Sequence, residues 1–253
     1  MMKRFSRSLA AAVVAASAFF STGAQALVVN QMFVFGDSGS DPGNAAALTQ
    51  VAPGVSFFPP SQPSGVPSPT GVPYDYRFSN GPVVPEYLAG LLGIAPSLPA
   101  WPASPANPNT NFAVGGAMTG AGPVAGIPAG FQGLCCNYNF LVDSPGGLQT
   151  LFPDVQFTGL NNQVALFASR LGSSIPLFDP QTTLFYVQGG SSDVFLALAL
   201  ASTPGLTGAE QAAILQGYTI NAAMNMGLRI GELALLNAEQ FLVVNMFDLG
   251  RMP

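Results

Sequence analysis

The stretch MFVFGDSGSD, residues 32–41, decides how the chain folds. Four apolar residues run into a turn of Gly, Asp and Ser, and an Ala-rich segment begins at Asn44. In α/β folds, this order of buried strand, polar turn and helix places a reactive residue at the carboxyl end of a strand. Ser38 would lie on that turn with its hydroxyl exposed, which indicates a nucleophile. The turn alone also fits an ordinary strand-to-helix connection, in which Asp37, Ser38 and Asp41 only bind backbone donors.

Residues 1–26 have the pattern of a secretory signal peptide. Three basic residues precede an apolar run from residue 9 to residue 20, and Ala24-Gln25-Ala26 is a small-x-small cleavage site. The apolar run is too short to span a bilayer without strain, although a short N-terminal anchor is the alternative. We therefore expect an exported protein with one folded domain, residues 27–253. We expect no transmembrane helix, because no later apolar run reaches about 18 residues.

The part of the chain after residue 26 is acidic. It keeps four Arg and no Lys against twelve Asp and Glu, a net charge of −8. Such a surface argues against binding nucleic acid and against docking on anionic lipid headgroups. The absence of His excludes a Cys/His zinc site and a Cys-His nucleophile pair. A calcium loop at Asp37, Asp41 and Asn44 is also disfavoured, because Gly39 and Pro42 stand where such a loop needs a ligand and a Gly. We expect neither metal nor cofactor.

The two cysteines, Cys135 and Cys136, are adjacent in a Gly-rich stretch. An exported location permits disulfides. Neighbouring cysteines close only a strained ring, so a vicinal bridge and two unpaired or intermolecular thiols both stay open.

Short apolar strands alternate with helical segments along the chain. We predict strands at 30–35, 111–117, 184–187 and 241–246, helices at 83–92, 155–171 and 209–237, and long loops at 51–73, 94–109 and 120–148. Thr207 and Glu210 have the spacing of a capping box before the last helix, and Gly227 is a candidate break within that helix. The alternation implies a parallel sheet covered on both faces. Such sheets bind ligands beyond the carboxyl ends of their strands, where the turns at Ser38, Gly116 and Ser192 fall.

Five segments, in this order, resemble the sequence blocks of the GDSL (SGNH) hydrolases, in their lipase-like branch. They are the first block at 35–44, the RFSNGPV segment at 77–88, the second block at 111–117, the third block at 189–193, and a strand with its Asp-Leu-Gly turn at 243–250. The resemblance spans residues 32 to 253. One Gly-Asp-Ser triplet is weak evidence, but five segments in the family's order are strong evidence.

The resemblance implies an exported lipase or esterase with a three-layer α/β/α, flavodoxin-like fold and an ester or lipid substrate. Ser38 would attack the ester carbonyl. The amides of Ser38 and Gly116, with the side chain at Ser192, would form the oxyanion hole. The family has Asn at the position of Ser192, and the shorter Ser side chain would weaken that donor; losing one such donor costs about 2.7 to 4 kcal/mol.

The family's catalytic base lies in a late Asp-x-x-His block, and this chain contains no His. The resemblance therefore implies an incomplete domain that lacks its last strand and helix. Loss of the His of a serine triad costs about 10⁶ in rate, so we expect little or no activity from these residues alone. The alternative is a non-catalytic relative that binds a lipid or a glycan. The sequence leaves the oligomeric state open.

Overall fold

The computed structural model describes residues 28–52, 55–56, 59, 75–101, 106–120, 139 and 157–246. Its strands are β1 (Gln31–Phe35), β2 (Gln50–Ala52), β3 (Val55–Ser56), β4 (Thr183–Gln188) and β5 (Gln240–Val244). Its helices are α1 (Asn44–Leu48), α2 (Val84–Leu92), α3 (Leu160–Arg170), α4 (Ser191–Ala201) and α5 (Gly208–Leu235). The predicted signal peptide, Cys135 and Cys136 lie outside the described residues.

The main sheet has three parallel strands in the order β1-β4-β5. Phe35 lies opposite Val187, and Val187 lies opposite Val243, so the three strands end at nearly the same level. Every residue of β4 is buried. This explains why its sequence, Thr-Leu-Phe-Tyr-Val-Gln, is apolar at four consecutive positions instead of alternating: a central parallel strand is covered on both faces.

Helices cover both faces of this sheet. Because successive strand residues point to opposite faces, Phe33 and Phe185 pack with Phe167 of α3 on one side. Val34 and Tyr186 pack with Ala89 of α2 on the other side. The predicted α/β/α arrangement with a parallel sheet is therefore confirmed.

The predicted strand at 111–117 is wrong. The segment forms only isolated bridges among the described residues: Asn111 bridges to Val34 and to Pro99, and Ala117 bridges to Asn139. The Asn111 side chain accepts a hydrogen bond from the Ala113 amide at 3.0 Å, and such a local bond bends the backbone away from a regular ladder. The segment still runs beside β1, since the Val114 amide donates to the Gly36 carbonyl at 3.1 Å.

Several other element predictions need correction. Part of the predicted loop at 51–73 belongs to a small antiparallel hairpin of β2 and β3. Helix α3 begins at Leu160 instead of residue 155, and α5 continues through Gly227 without a break. The capping box of α5 is confirmed, because Thr207 accepts from the Glu210 amide and the Glu210 carboxylate accepts from the Thr207 amide. No helix among the described residues is long and apolar enough to cross a membrane.

Candidate active site

Ser38 lies three residues beyond the end of β1, on a turn closed by the Ser40 amide donating to the Asp37 carbonyl at 3.1 Å. Its side chain is half-buried. Among the described residues, none forms a hydrogen bond with Ser38. The turn packs tightly against β4: a Cβ atom at Gly39 would collide with the Gln188 carboxamide. Ser40 is buried and donates its hydroxyl to the same carboxamide.

Asp37 ties this turn to the start of α4. Its carboxylate is buried and accepts the Ser191 hydroxyl and, at 3.2 Å, the Gly39 amide. Burial raises the pKa of Asp37 above its ordinary value, and the hydrogen bonds from Ser191 and Gly39 act in the opposite direction. This contact joins residues 154 positions apart and so holds the ends of β1 and β4 together.

Asp41 organises the other side of the turn. Its fully buried carboxylate accepts the amides of Gly43 at 2.8 Å and Ala45 at 3.0 Å at the start of α1. It also accepts the Gly115 amide at 2.7 Å. Burial raises the pKa of Asp41 to about 6 against the opposing effect of these amides. The Asp41 carboxylate therefore binds amides at the start of α1 and also holds the turn at residues 115–116.

Asn44 and Asn111 add a second set of contacts between the same segments. The side-chain Nδ2 of Asn44 donates to the carbonyls of Asn111 at 2.9 Å and Ala113 at 2.7 Å. The side-chain Nδ2 of Asn111 donates to the Ser40 carbonyl at 3.0 Å. All of these side chains are buried, so the segment that leads to Gly116 is fixed against the Ser38 turn.

Gly116 has a φ of 79°, in the left-handed region that favours glycine. Its neighbour Gly115 leaves no room for a side chain, because a Cβ atom there would overlap the Phe78 ring. The Gly115 carbonyl accepts a hydrogen bond from the side-chain Nδ2 of Asn139 at 3.0 Å. The Gly116 amide itself has no hydrogen bond to a described residue.

Ser192 is buried in the first turn of α4, after Gly190 with a φ of 99°. Asp193 accepts the Thr119 amide at 3.0 Å and the Thr119 hydroxyl at 2.8 Å. Burial raises the pKa of Asp193 to about 6, with a smaller contribution from the nearby Asp37 carboxylate. These contacts attach α4 to the segment that follows Gly116.

The segments that carry Ser38, Gly116 and Ser192 therefore meet at the carboxyl edge of the sheet. A family model for the GDSL-like lipase/acylhydrolase domain matches residues 32–253. The chain belongs to this family. No curated protein matches the sequence.

Membership in the GDSL-like lipase/acylhydrolase family indicates hydrolase activity of the esterase or lipase type, with ester or lipid substrates. Within this GDSL domain, the roles of Ser38, Gly116 and Ser192 stay predictions. Arg77 pairs with Glu86 at 2.6 Å and with Asp75 at 3.4 Å, which fits a structural ion pair. Among the described residues, no three His, Cys, Asp or Glu side chains come together as a metal site.

Sequence reasoning missed Gln163, a buried residue of α3 in this GDSL domain. Its carboxamide binds the backbone of Gly36, two residues before Ser38. One signal was available: Gln163 is a polar residue beside Val164 and one turn after Leu160, on the face that the helix buries. A polar residue on such a face needs a partner, but the sequence does not say which.

Proposed function

We propose that the protein is an exported ester hydrolase in which Ser38 is the nucleophile. One observation carries this proposal: on the turn after β1, Asp37, Ser40 and Asp41 are all engaged in hydrogen bonds, whereas Ser38 has none to a described residue. If the polar side chains of this turn served only to bind backbone donors, Ser38 would form hydrogen bonds as its neighbours do. A half-buried hydroxyl that no described residue binds, at the end of a strand, fits attack on a substrate.

Two backbone amides, one on the Ser38 turn and one on the Gly116 turn, support the proposal of an oxyanion hole. The amides of Ser38 and Gly116 have no hydrogen bond to a described residue, although the segments around them are extensively bonded. Donors held in place before the reaction stabilise the negative oxygen that forms when the ester carbonyl is attacked. In the family's third block, Ser192 stands at the position of the third donor, and we propose that its hydroxyl contributes weakly.

In this reaction, the Ser38 oxygen bonds to the acyl carbon, the alcohol leaves, and water then releases the acid from the acyl-enzyme. The Ser38 proton must pass to a base. The 253 residues contain no His, so we expect these residues alone to react slowly, as serine triads without their His do.

Labelling with a fluorophosphonate tests the proposal. We expect slow phosphonylation of Ser38, in which the serine oxygen bonds to phosphorus and fluoride leaves, and faster labelling when added imidazole accepts the proton. Mass spectrometry of the digested protein would locate the label. Ser38→Ala should abolish it, and Ser169→Ala, at an exposed serine on α3, should not. Equal labelling of the Ser38→Ala variant, or none in wild type with imidazole, would contradict the proposal.

Ser192 in place of Asn and the absence of His favour a second candidate, a non-catalytic protein that binds lipids or glycans. This candidate predicts that Ser38→Ala keeps full affinity for a fatty-acid ester or an oligosaccharide, measured by calorimetry, while wild type with imidazole shows neither labelling nor turnover. Labelling confined to Ser38 would argue for the hydrolase instead.

We further infer that residues 1–26 direct export. The basic start, the apolar run and the Ala24-Gln25-Ala26 site support this. Expression of the full chain in a bacterium, followed by N-terminal sequencing of the periplasmic fraction, should give a mature protein that begins at Leu27. An uncut chain in the cytoplasm would contradict it.

A further inference from the structure

Gln163 makes three hydrogen bonds to the backbone, two of them to Gly36 at the start of the Ser38 turn. Its Oε1 accepts the Gly36 amide at 2.8 Å, and its Nε2 donates to the Gly36 carbonyl at 2.8 Å. Nε2 also donates to the Thr158 carbonyl at 2.9 Å. Both N–H groups of the carboxamide and its oxygen are therefore in use. Gln163 and Gly36 are 127 positions apart, and the Gln163 side chain is fully buried.

Gly36 is the point at which β1 leaves the sheet. The regular pairing with β4 ends at Phe35 and Val187, so the amide and the carbonyl of Gly36 need other hydrogen-bond partners. Gln163 supplies an acceptor for this amide and a donor for this carbonyl, in place of a neighbouring strand. The Gly36 carbonyl also accepts the Val114 amide at 3.1 Å, two residues before Gly116. The contacts at Gly36 therefore fix the starting points of the Ser38 turn and the Gly116 turn relative to each other.

We propose that Gln163 is a positioning residue, which sets where the Ser38 oxygen lies relative to the oxyanion amides. This proposal rests on the proposed role of Ser38. Since the Ser38 side chain has no hydrogen bond to a described residue, its place depends on the backbone that precedes it. That backbone is held at Gly36 by Gln163. Among the described hydrogen bonds, Gln163 makes those that join α3 to the turn, because the other buried side chains of α3 are apolar or, like Arg170, bind elsewhere.

The substitution Gln163→Met tests the proposal, because it keeps the length of the side chain and removes all three hydrogen bonds. We expect the maximal rate of phosphonylation at Ser38, measured with imidazole, to fall about tenfold to a hundredfold, as a misplacement of about 1 Å can produce. The reagent concentration at half-maximal rate should stay unchanged, because Gln163 does not contact the reagent. Gln163→Glu should also slow the reaction, since a carboxylate cannot donate to the Gly36 carbonyl.

Two controls separate positioning from general loss of stability. Gln240→Met makes the same change where a Gln side chain donates to the Gln181 carbonyl, at the amino end of the sheet. Ser97→Ala removes a buried hydrogen bond to the Met32 carbonyl, 2.9 Å long, also at the amino end of β1. Both variants should keep the wild-type rate, even where Ser97→Ala lowers the unfolding temperature. An equal fall in rate for Ser97→Ala would overturn the proposal.

Amide hydrogen exchange gives a second readout that needs no reaction. Loss of its acceptor in Gln163→Met should speed exchange of the Gly36 amide by tenfold or more, with a smaller effect at Ser38. If wild type is not labelled at Ser38, the proposed function fails, and exchange at Gly36 still decides whether Gln163 fixes the turn. Unchanged exchange at Gly36, or an unchanged labelling rate in folded Gln163→Met, would overturn the positioning role.

Discussion

Three buried aspartates surround the proposed nucleophile, and each accepts hydrogen bonds from a different part of the chain. Asp37 binds the start of α4, Asp41 binds the start of α1 and Gly115, and Asp193 binds Thr119. Burying a carboxylate is costly unless donors surround it. Because these donors come from separate segments, each carboxylate fixes one junction of the site. Among the described residues, the Ser38 hydroxyl has no hydrogen-bond partner, whereas the neighbouring side chains bind the surrounding backbone.

The buried carboxylates make stability depend on pH. Burial raises the pKa of Asp193 from its ordinary 3.8 to about 6. Between these values the folded protein keeps a proton that the unfolded chain has released, so the free energy of unfolding falls as pH rises from about 4 to about 6. Asp193→Asn removes this titration, while the new carboxamide can still accept the Thr119 amide and donate to the Thr119 hydroxyl.

We therefore expect the stability difference between Asp193→Asn and wild type to shift in the variant's favour between pH 4 and pH 7. The shift should be at most about 3 kcal/mol, from about two pKa units at 1.36 kcal/mol each. Urea unfolding at a series of pH values measures it. Asp179→Asn, at an exposed carboxylate, controls for the loss of one negative charge. A difference that stays constant with pH would contradict the prediction.

At this scale, the local sequence pattern predicts candidate site residues, whose roles stay predictions. Ser38 and Gly116 stand out because each follows a short apolar run and lies on a small-residue turn. Gln163, Thr119 and Asn139 could not be found in this way. Their partners lie in distant segments, such as Asp193, 74 positions from Thr119. A local pattern can show that a buried polar residue needs a partner, but only the packed structure says which partner it has.

Among the elements, α2 and the segment before it support the Gly116 turn. Arg77 and Glu86 form a bidentate ion pair with hydrogen bonds of 2.8 and 2.6 Å. The Glu86 carboxylate also accepts the Val83 amide at the start of α2. The Phe78 ring, next to Arg77, packs directly on Gly115. The RFSNGPV segment thus connects a helix start to the proposed oxyanion turn, a role that its sequence alone did not reveal.

This packing predicts that Gly115→Ala is destabilising. The added methyl group would overlap the Phe78 ring, and overpacking of this kind costs about 1 to 3 kcal/mol. In the background of Phe78→Ala, where the ring is absent, Gly115→Ala should cost much less. A double-mutant cycle by urea unfolding measures the coupling between the two sites. Gly231→Ala, on an exposed face of α5 with open space around it, should be neutral or stabilising. If the losses in the free energy of unfolding from the two substitutions were additive, the contact between the Phe78 ring and residue 115 would be excluded.

Element prediction worked where hydrophobic periodicity was clear and failed where it was not. The amphipathic pattern and capping box of α5 gave its start to within one residue. Helix α4 was not predicted, because from Val194 to Ala201 its sequence is apolar on all sides and shows no helical period. The strand at 111–117 was predicted from its apolar residues alone. Its Asn111 side chain competes for the backbone, which that pattern does not register.

On the scale of the whole molecule, the three strands of the main sheet are buried to different extents. Residues of β1 and β4 are almost entirely buried between helices. In β5, Leu242 is 38% exposed and Val243 is 43% exposed. Among the described residues, β5 pairs only with β4, so its other edge presents unpaired backbone groups beside apolar side chains. Such an edge is a template for pairing with another chain.

We therefore expect the purified chain to self-associate at micromolar concentrations, through the edge of β5. Val243→Lys should reduce this association, because a charged side chain on an edge strand opposes pairing with a second copy. Sedimentation velocity over a range of concentrations measures it. Val28→Lys makes the same change at an apolar residue that is 58% exposed and lies outside the sheet, so it should associate as wild type does. If both variants lowered association equally, added charge and not the strand edge would be the cause. If Val243→Lys had no effect, the exposed edge of β5 would not be the surface through which the molecules meet.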